Sequence, residues 1–155
     1  MHQLDLPEGH SGHSGVAMIN EQVHSLDELE KIWNDFKSSD DTYDCEKVWS
    51  LPYPSTTRLT ALLVWHLYYP WWDGFTICPI EVIREPEKFS YHYNRIQEAS
   101  TQYPIDLMYN GRQGKQCKLL ILDGMHRLAK LYINKIEVVE VRIIPRREIP
   151  NIRYD

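Results

Sequence analysis

The segment Leu119–Lys130 reads LLILDGMHRLAK and concentrates side chains able to handle a phosphate. A short apolar run meets Asp123-Gly124, and an amphipathic run begins at once. Gly124 lets the chain turn where a Cβ would clash. The first N–H groups of a helix starting at Met125 would lack intrahelical partners and point outward. The helix dipole adds partial positive charge at that end. His126 and Arg127 place two further donors on the same turn, and an arginine fork matches two phosphate oxygens. These features together suit an anion, phosphate above all. Asp123 beside it could hold Mg²⁺ or accept a proton from an attacking hydroxyl. The plainer alternative stays open on spacing alone. Asp123 would then be an ordinary helix cap, with His126 and Arg127 solvated in the first turn.

The elements that must position this segment follow from periodicity. Tyr103–Tyr109 (YPIDLMY) reads as a strand, Asn110-Gly111 and Gly114 as a hairpin loop, and Lys118–Leu122 as the return strand. Met125, Leu128, Ala129, Tyr132 and Ile133 give Met125–Asn134 a complete helical stripe. Val138–Ile144 is a further strand, ended by Pro145. Upstream, Thr76–Ile83 (TICPIEVI) reads as a strand from its β-branched content. Pro86 opens a helix over 86–100 with Phe89, Tyr93, Ile96 and Ala99 inward. Thr56 and Thr57 cap a buried helix over 58–68, ended by Pro70. Ser25 with Glu28 forms a capping box for a helix over 26–37. Residues 1–24, with EGHSGHSG at 8–15, read as a loose leader. His10 and His13 within it lack the rigid frame that a metal pair needs. The reading is one α+β domain over 25–155, a small mixed β-sheet with packed helices. Residues 25–75 form its helical N-terminal part and 76–147 its core.

Secondary candidates come from placement. His92 and Arg95 sit on the 86–100 helix, His92 at the edge of its apolar face. Each also has an ordinary role, as a satisfied core histidine and a surface ion-pair partner. Asp106 is the one charge inside YPIDLMY and must face solvent, a partner or a site. Asp106 and Asp123 could share a pocket if the hairpin register allows. The aromatic set Tyr68, Tyr69, Trp71, Trp72 and Phe75 serves as a core or contact surface, or as a platform for a base. Arg146-Arg147 offers further cationic charge.

Composition narrows the function. At 155 residues, 43% hydrophobic, with five Trp and ten Tyr, the chain can build a core. The net charge of −5 counts against a generally basic nucleic-acid binder. The charge is asymmetric, −9 over residues 1–102 and +4 over 103–155, and the cationic half holds the motif. The stretch Leu59–Trp72 is too short and too polar to span a bilayer, and Met1–Asp5 shows no signal-peptide pattern. Cys45, Cys78 and Cys117 fit neither a disulfide framework nor a zinc spacing. A soluble, cytoplasmic, reduced protein is the expectation.

Strand–DGMHRLAK–helix–strand resembles the ParB/sulfiredoxin superfamily over roughly residues 76–147. PIEVI at 79–83, HYNRI at 92–96 and YPIDL at 103–107 share in the likeness. The resemblance implies a ParB/sulfiredoxin-like fold with phosphate held at Gly124, Met125, His126 and Arg127. Sulfiredoxins carry a cysteine nucleophile where this chain has Met125, so sulfinic-acid repair is not expected. Partition proteins append a DNA reader, for which a chain ending at Asp155 leaves no room. The small stand-alone ParB-like proteins and free serine kinases are nearer, which implies Asp123 and His126 as catalytic residues and Glu81 as a counterpart of their catalytic glutamate. The expected function is a nucleotide-dependent phosphotransferase or nucleotide hydrolase using ATP, ADP or CTP with Mg²⁺ at Asp123. The alternative is a non-catalytic nucleotide- or anion-sensing module acting through a protein partner. A nucleic-acid-binding or nuclease-like role ranks below both.

Overall fold

A computed structural model describes residues 16–19, 22–25, 43–111, 113–114 and 117–154. The expected helix over 26–37 and the His10/His13 pair lie outside the described residues. Among the described residues no helix is long and apolar enough to cross a membrane.

Four strands form a mixed sheet in the order β3-β6-β4-β5. They are β3 (Thr56–Leu59), β4 (Ile105–Tyr109), β5 (Leu119–Asp123) and β6 (Val138–Ile143). β4 runs parallel to β6, and the other pairs are antiparallel. The α+β class and the mixed sheet are as the sequence indicates. β4 is buried from Ile105 through Met108. Successive strand residues face opposite sides, so both faces of the sheet are covered there. The β4–β5 register, which the sequence could not supply, sets Asp106 opposite Asp123, with an irregularity between Asp106 and Leu107.

Among the described residues the α-helices are α1 (Cys45–Trp49), α2 (Pro79–Arg84), α3 (Ser90–Glu98), α4 (Met125–Ile133) and α5 (Ile149–Ile152). The apolar stripe of α4 is buried through Leu128 and Ala129. Burial of this kind is worth about 1.5–3 kcal/mol for each large apolar side chain.

Three upstream expectations are corrected. Thr76–Ile83 is not a strand. Pro79 starts α2, and Glu81 accepts a hydrogen bond from the Cys78 N–H at 2.9 Å in a reciprocal cap. Proline at the first helical turn and this cap outweigh the β-branched content. The expected helix over 58–68 begins instead as β3, which pairs with β6, and continues as 3₁₀ turns at Thr60–Leu62 and Val64–Tyr68. Its burial is as expected from Leu63 to Leu67, while Leu59 is exposed. The sheet therefore takes an edge strand from the part read as helical. At the end of the stretch 1–24 read as a leader, β1 (Val16–Ile19) and β2 (Gln22–Ser25) pair antiparallel, and β2 takes in Ser25, the expected helix cap.

His66, fully buried, ties the 3₁₀ segment to the sheet. Its Nδ1 is 2.9 Å from the Leu63 carbonyl, and its Nε2 accepts the Ile121 N–H at 3.2 Å. That fixes its tautomer and satisfies a donor on edge strand β5.

Candidate functional site

Gly124 is the hinge between β5 and α4. Its φ of 120° lies where side chains rarely go, and a Cβ there would meet Ile105 and Arg127 at 3.1 Å. Among the described residues no side chain caps α4, so its first N–H groups have no side-chain acceptor there. Asp123 does not act as the cap. Its Oδ2 accepts the Trp49 indole N–H at 2.7 Å and lies 3.6 Å from the Arg127 guanidinium. Arg127 also donates to the Pro104 carbonyl at 2.6 Å. The plain reading of a capping aspartate with solvated neighbours therefore does not describe this turn.

A cleft of about 360 Å³ opens at this terminus. Asp123, Gly124, Met125, His126 and Arg127 line one side, and Arg95, Glu98, Ala99 and Ser100 of α3 and its exit line another, with Trp49 at the rim. Lys130 of α4 donates to the Gln97 and Ala99 carbonyls at 2.8 and 2.9 Å, holding the end of α3 over the start of α4. Arg95, an exposed side chain, thus reaches the motif, as one of its two readings required. Glu98 is a carboxylate that the sequence reading missed. Its signal is the i, i+3 spacing from Arg95, which puts both on one helix face.

His92 and His126 meet above Trp72. Their rings stack on the indole at 4.4 Å each, with interplanar angles of 5° and 11°. The imidazole centroids are 5.6 Å apart. Rings on opposite faces would be at least about 7 Å apart, twice the contact thickness, so both lie on one face. Nδ1 of His92 is 3.3 Å from Nε2 of His126, and Nε2 of His92 is 3.0 Å from Oδ1 of Asp73. Burial, then the Arg95 charge and the neighbouring His92, lower the His126 pKa from 6.5 to about 4. His126 is therefore neutral at pH 7.

Asp106 is not at the cleft. It is buried and accepts from Arg142 Nε at 2.7 Å. Arg142 also donates to the Leu51 and Val48 carbonyls at 2.6 and 2.8 Å. Burial raises the Asp106 pKa, with Arg142 opposing. This pair clamps the end of α1 and so places Trp49 against Asp123. Glu81, on α2, caps its own helix and does not line the cleft. Arg146 packs over Gly111 and donates to the Tyr109 carbonyl at 3.1 Å, away from the motif. Of the aromatic set, Tyr69 and Trp72 are buried, Tyr68 and Trp71 pack against the core, and Phe75 is exposed.

The surroundings of Cys45 and Cys78 do not favour thiolate chemistry. Cys45 hydrogen-bonds Asp123, and burial with that charge pushes its thiol up to about 11. Burial pushes Cys78 up to about 12. Thiols held protonated are poor nucleophiles. Among the described residues no three His, Cys, Asp or Glu side chains converge on a metal position. Asp123 with Glu98 fits only a Mg²⁺ brought in by phosphates, which needs one or two protein carboxylates.

No family model, no characterised protein and no solved structure matches this chain.

Proposed function

We propose that the cleft at the start of α4 binds the phosphate end of a nucleotide or phosphorylated small molecule, for phosphoryl transfer or hydrolysis. The observation that carries this reading is convergence. Two arginines from separate helices, Arg95 and Arg127, line the same cleft as an uncapped helix terminus. Helix donors, dipole and guanidinium forks are matched to phosphate oxygens. The strand–DGMHR–helix order also supports kinship with the ParB/sulfiredoxin superfamily, with ATP, ADP or CTP as the nucleotide. Asp123 and Glu98 repel a bare phosphate, so Mg²⁺ between carboxylates and phosphates should strengthen binding.

The test is calorimetry with inorganic phosphate, ADP, ATP and CTP, with and without Mg²⁺, on wild type, Arg95→Ala and Arg127→Ala. Each variant should bind about 10- to 100-fold more weakly, the equivalent of about 1.5–3 kcal/mol for a charge-assisted bond. Arg95→Ala should leave stability within about 0.5 kcal/mol, since the side chain is exposed. Arg127→Ala should also destabilise, through the lost bond to Pro104. Wild-type binding that neither variant weakens would place the site elsewhere. Tight binding with no phosphate release or transfer would favour the sensing role.

A further inference from the structure

Residues 72–77 form a tight turn that delivers two groups to His92. Trp72 supplies the indole under both imidazoles, and Asp73 supplies a carboxylate at the far nitrogen of His92. The turn is closed by the Trp72 N–H on the Ile77 carbonyl at 3.1 Å. Its other bonds run from the Thr76 and Ile77 N–H groups to the Trp72 carbonyl, at 3.0 and 3.1 Å. Thr76 Oγ1 adds a bond to the Asp73 carbonyl at 2.7 Å. Asp73, Gly74 and Phe75 all have positive φ, of 52°, 71° and 66°. For Phe75, which has a Cβ, that conformation is strained. The strain accompanies a carboxylate held in one place.

For an ionised Asp73 and a neutral His92 ring, the protons along this line follow from what each atom can do. An ionised carboxylate only accepts, so Nε2 of His92 carries the proton facing Asp73. In a neutral ring Nδ1 of His92 is then a lone pair and can only accept. The proton in the 3.3 Å contact therefore belongs to Nε2 of His126. That leaves Nδ1 of His126 as its unprotonated nitrogen, on a residue that lines the cleft. Asp73 and His126 occupy opposite nitrogens of His92, so the three cannot close on one metal ion.

We propose that Asp73 and His92 are positioning residues that hold His126 as the proton acceptor of the cleft. This rests on the phosphate reading. The attacking group is water or a hydroxyl. Its O–H proton passes to Nδ1 of His126 as its oxygen forms a bond to phosphorus. The bond from phosphorus to the leaving oxygen breaks, and the electron pair stays on that oxygen. The resulting imidazolium is stabilised through His92 by the Asp73 charge, the logic of a base oriented by a carboxylate. Arg95, Arg127, Asp123 and Glu98 also face the cleft and set the field around His126. A bound phosphate offsets the Arg95 charge, so it favours the protonated ring and makes His126 a stronger base with ligand present.

The test is histidine-ring nitrogen NMR on the full chain at pH 7, for wild type, His92→Phe and Asp73→Gly. Phe keeps the stack on Trp72, and Gly accepts the positive φ. In wild type, His126 should show a protonated Nε2, a bare Nδ1 and scalar coupling across the bond to His92 Nδ1. Both variants should shift part of the His126 population to the Nδ1–H form. A wild-type His126 protonated on Nδ1, or a His126 tautomer unchanged in both variants, would overturn the proposal. Adding inorganic phosphate should raise the His126 titration midpoint. An intact ring signature with no response to phosphate would remove the phosphate reading and leave the relay standing.

Discussion

Trp49 donates its indole N–H to Asp123 at 2.7 Å, a bond between residues 74 positions apart. It ties the carboxylate to the residue at the rim of the cleft. Trp49→Phe should cost about 1 kcal/mol, the usual net value of a hydrogen bond. With Asp123 released, phosphate binding without Mg²⁺ should weaken, and its enhancement by Mg²⁺ should grow. Urea melts and paired calorimetry check the two parts. An unchanged Mg²⁺ response would show that Trp49 does not control this carboxylate.

Arg142 and Asp106 form the buried support behind that arrangement. Arg142→Ala leaves the Asp106 carboxyl nearly without solvent and without its cation, and frees the Val48 and Leu51 carbonyls. Breaking such a pair costs about 3–5 kcal/mol. Adding Asp106→Ala should recover part of that loss, because the orphaned buried carboxyl is removed. Strictly additive losses in denaturant titrations would contradict the coupling.

Legibility in the sequence tracked how local the determining forces are. Residues 103–144 declare themselves through alternation, turn residues and one helical stripe, and their strands and helix lie where expected. Thr76–Ile83 misled because β-branched residues favour strands only weakly, while Pro79 and the Cys78–Glu81 cap act at fixed positions. Thr56 and Thr57 look like caps of a helix over 58–68 because the strand partner of Thr56–Leu59, β6, lies some 80 residues away. The motif at Asp123–Arg127 was readable since its strand, turn and helix are contiguous. His92 and Arg95 could be nominated from one helix face, but Asp73 could not. Its only signal is a turn sequence, and its meaning comes from His92 lying against it.

Gly124→Ala should destabilise by about 1–3 kcal/mol, combining a positive φ with contacts to Ile105 and Arg127. It should also displace the start of α4 and abolish phosphate binding. Thermal melts with calorimetry read both effects. A variant of wild-type stability would show that the turn can relax without Gly.

Acid should weaken the fold through His126. Its pKa is about 4 in the folded chain and about 6.5 when unfolded. Between these values the unfolded chain takes up a proton that the folded chain refuses. Stability present above about pH 6.5 is therefore lost progressively as pH falls toward 4. His126→Phe keeps the ring on Trp72 and removes this titration. The wild-type melting temperature should fall faster over that window than the variant's, and parallel curves would contradict the shift.

An amide NMR titration of the full chain with ADP and Mg²⁺ reads whether phosphate docks at the start of α4, under Arg95 and Arg127. The largest shifts should fall on the N–H groups of Gly124, Met125, His126 and Arg127, with the side chains of Arg95 and Trp49 responding at the same ligand concentrations. Saturable shifts clustered on another face, with these residues silent, would contradict it.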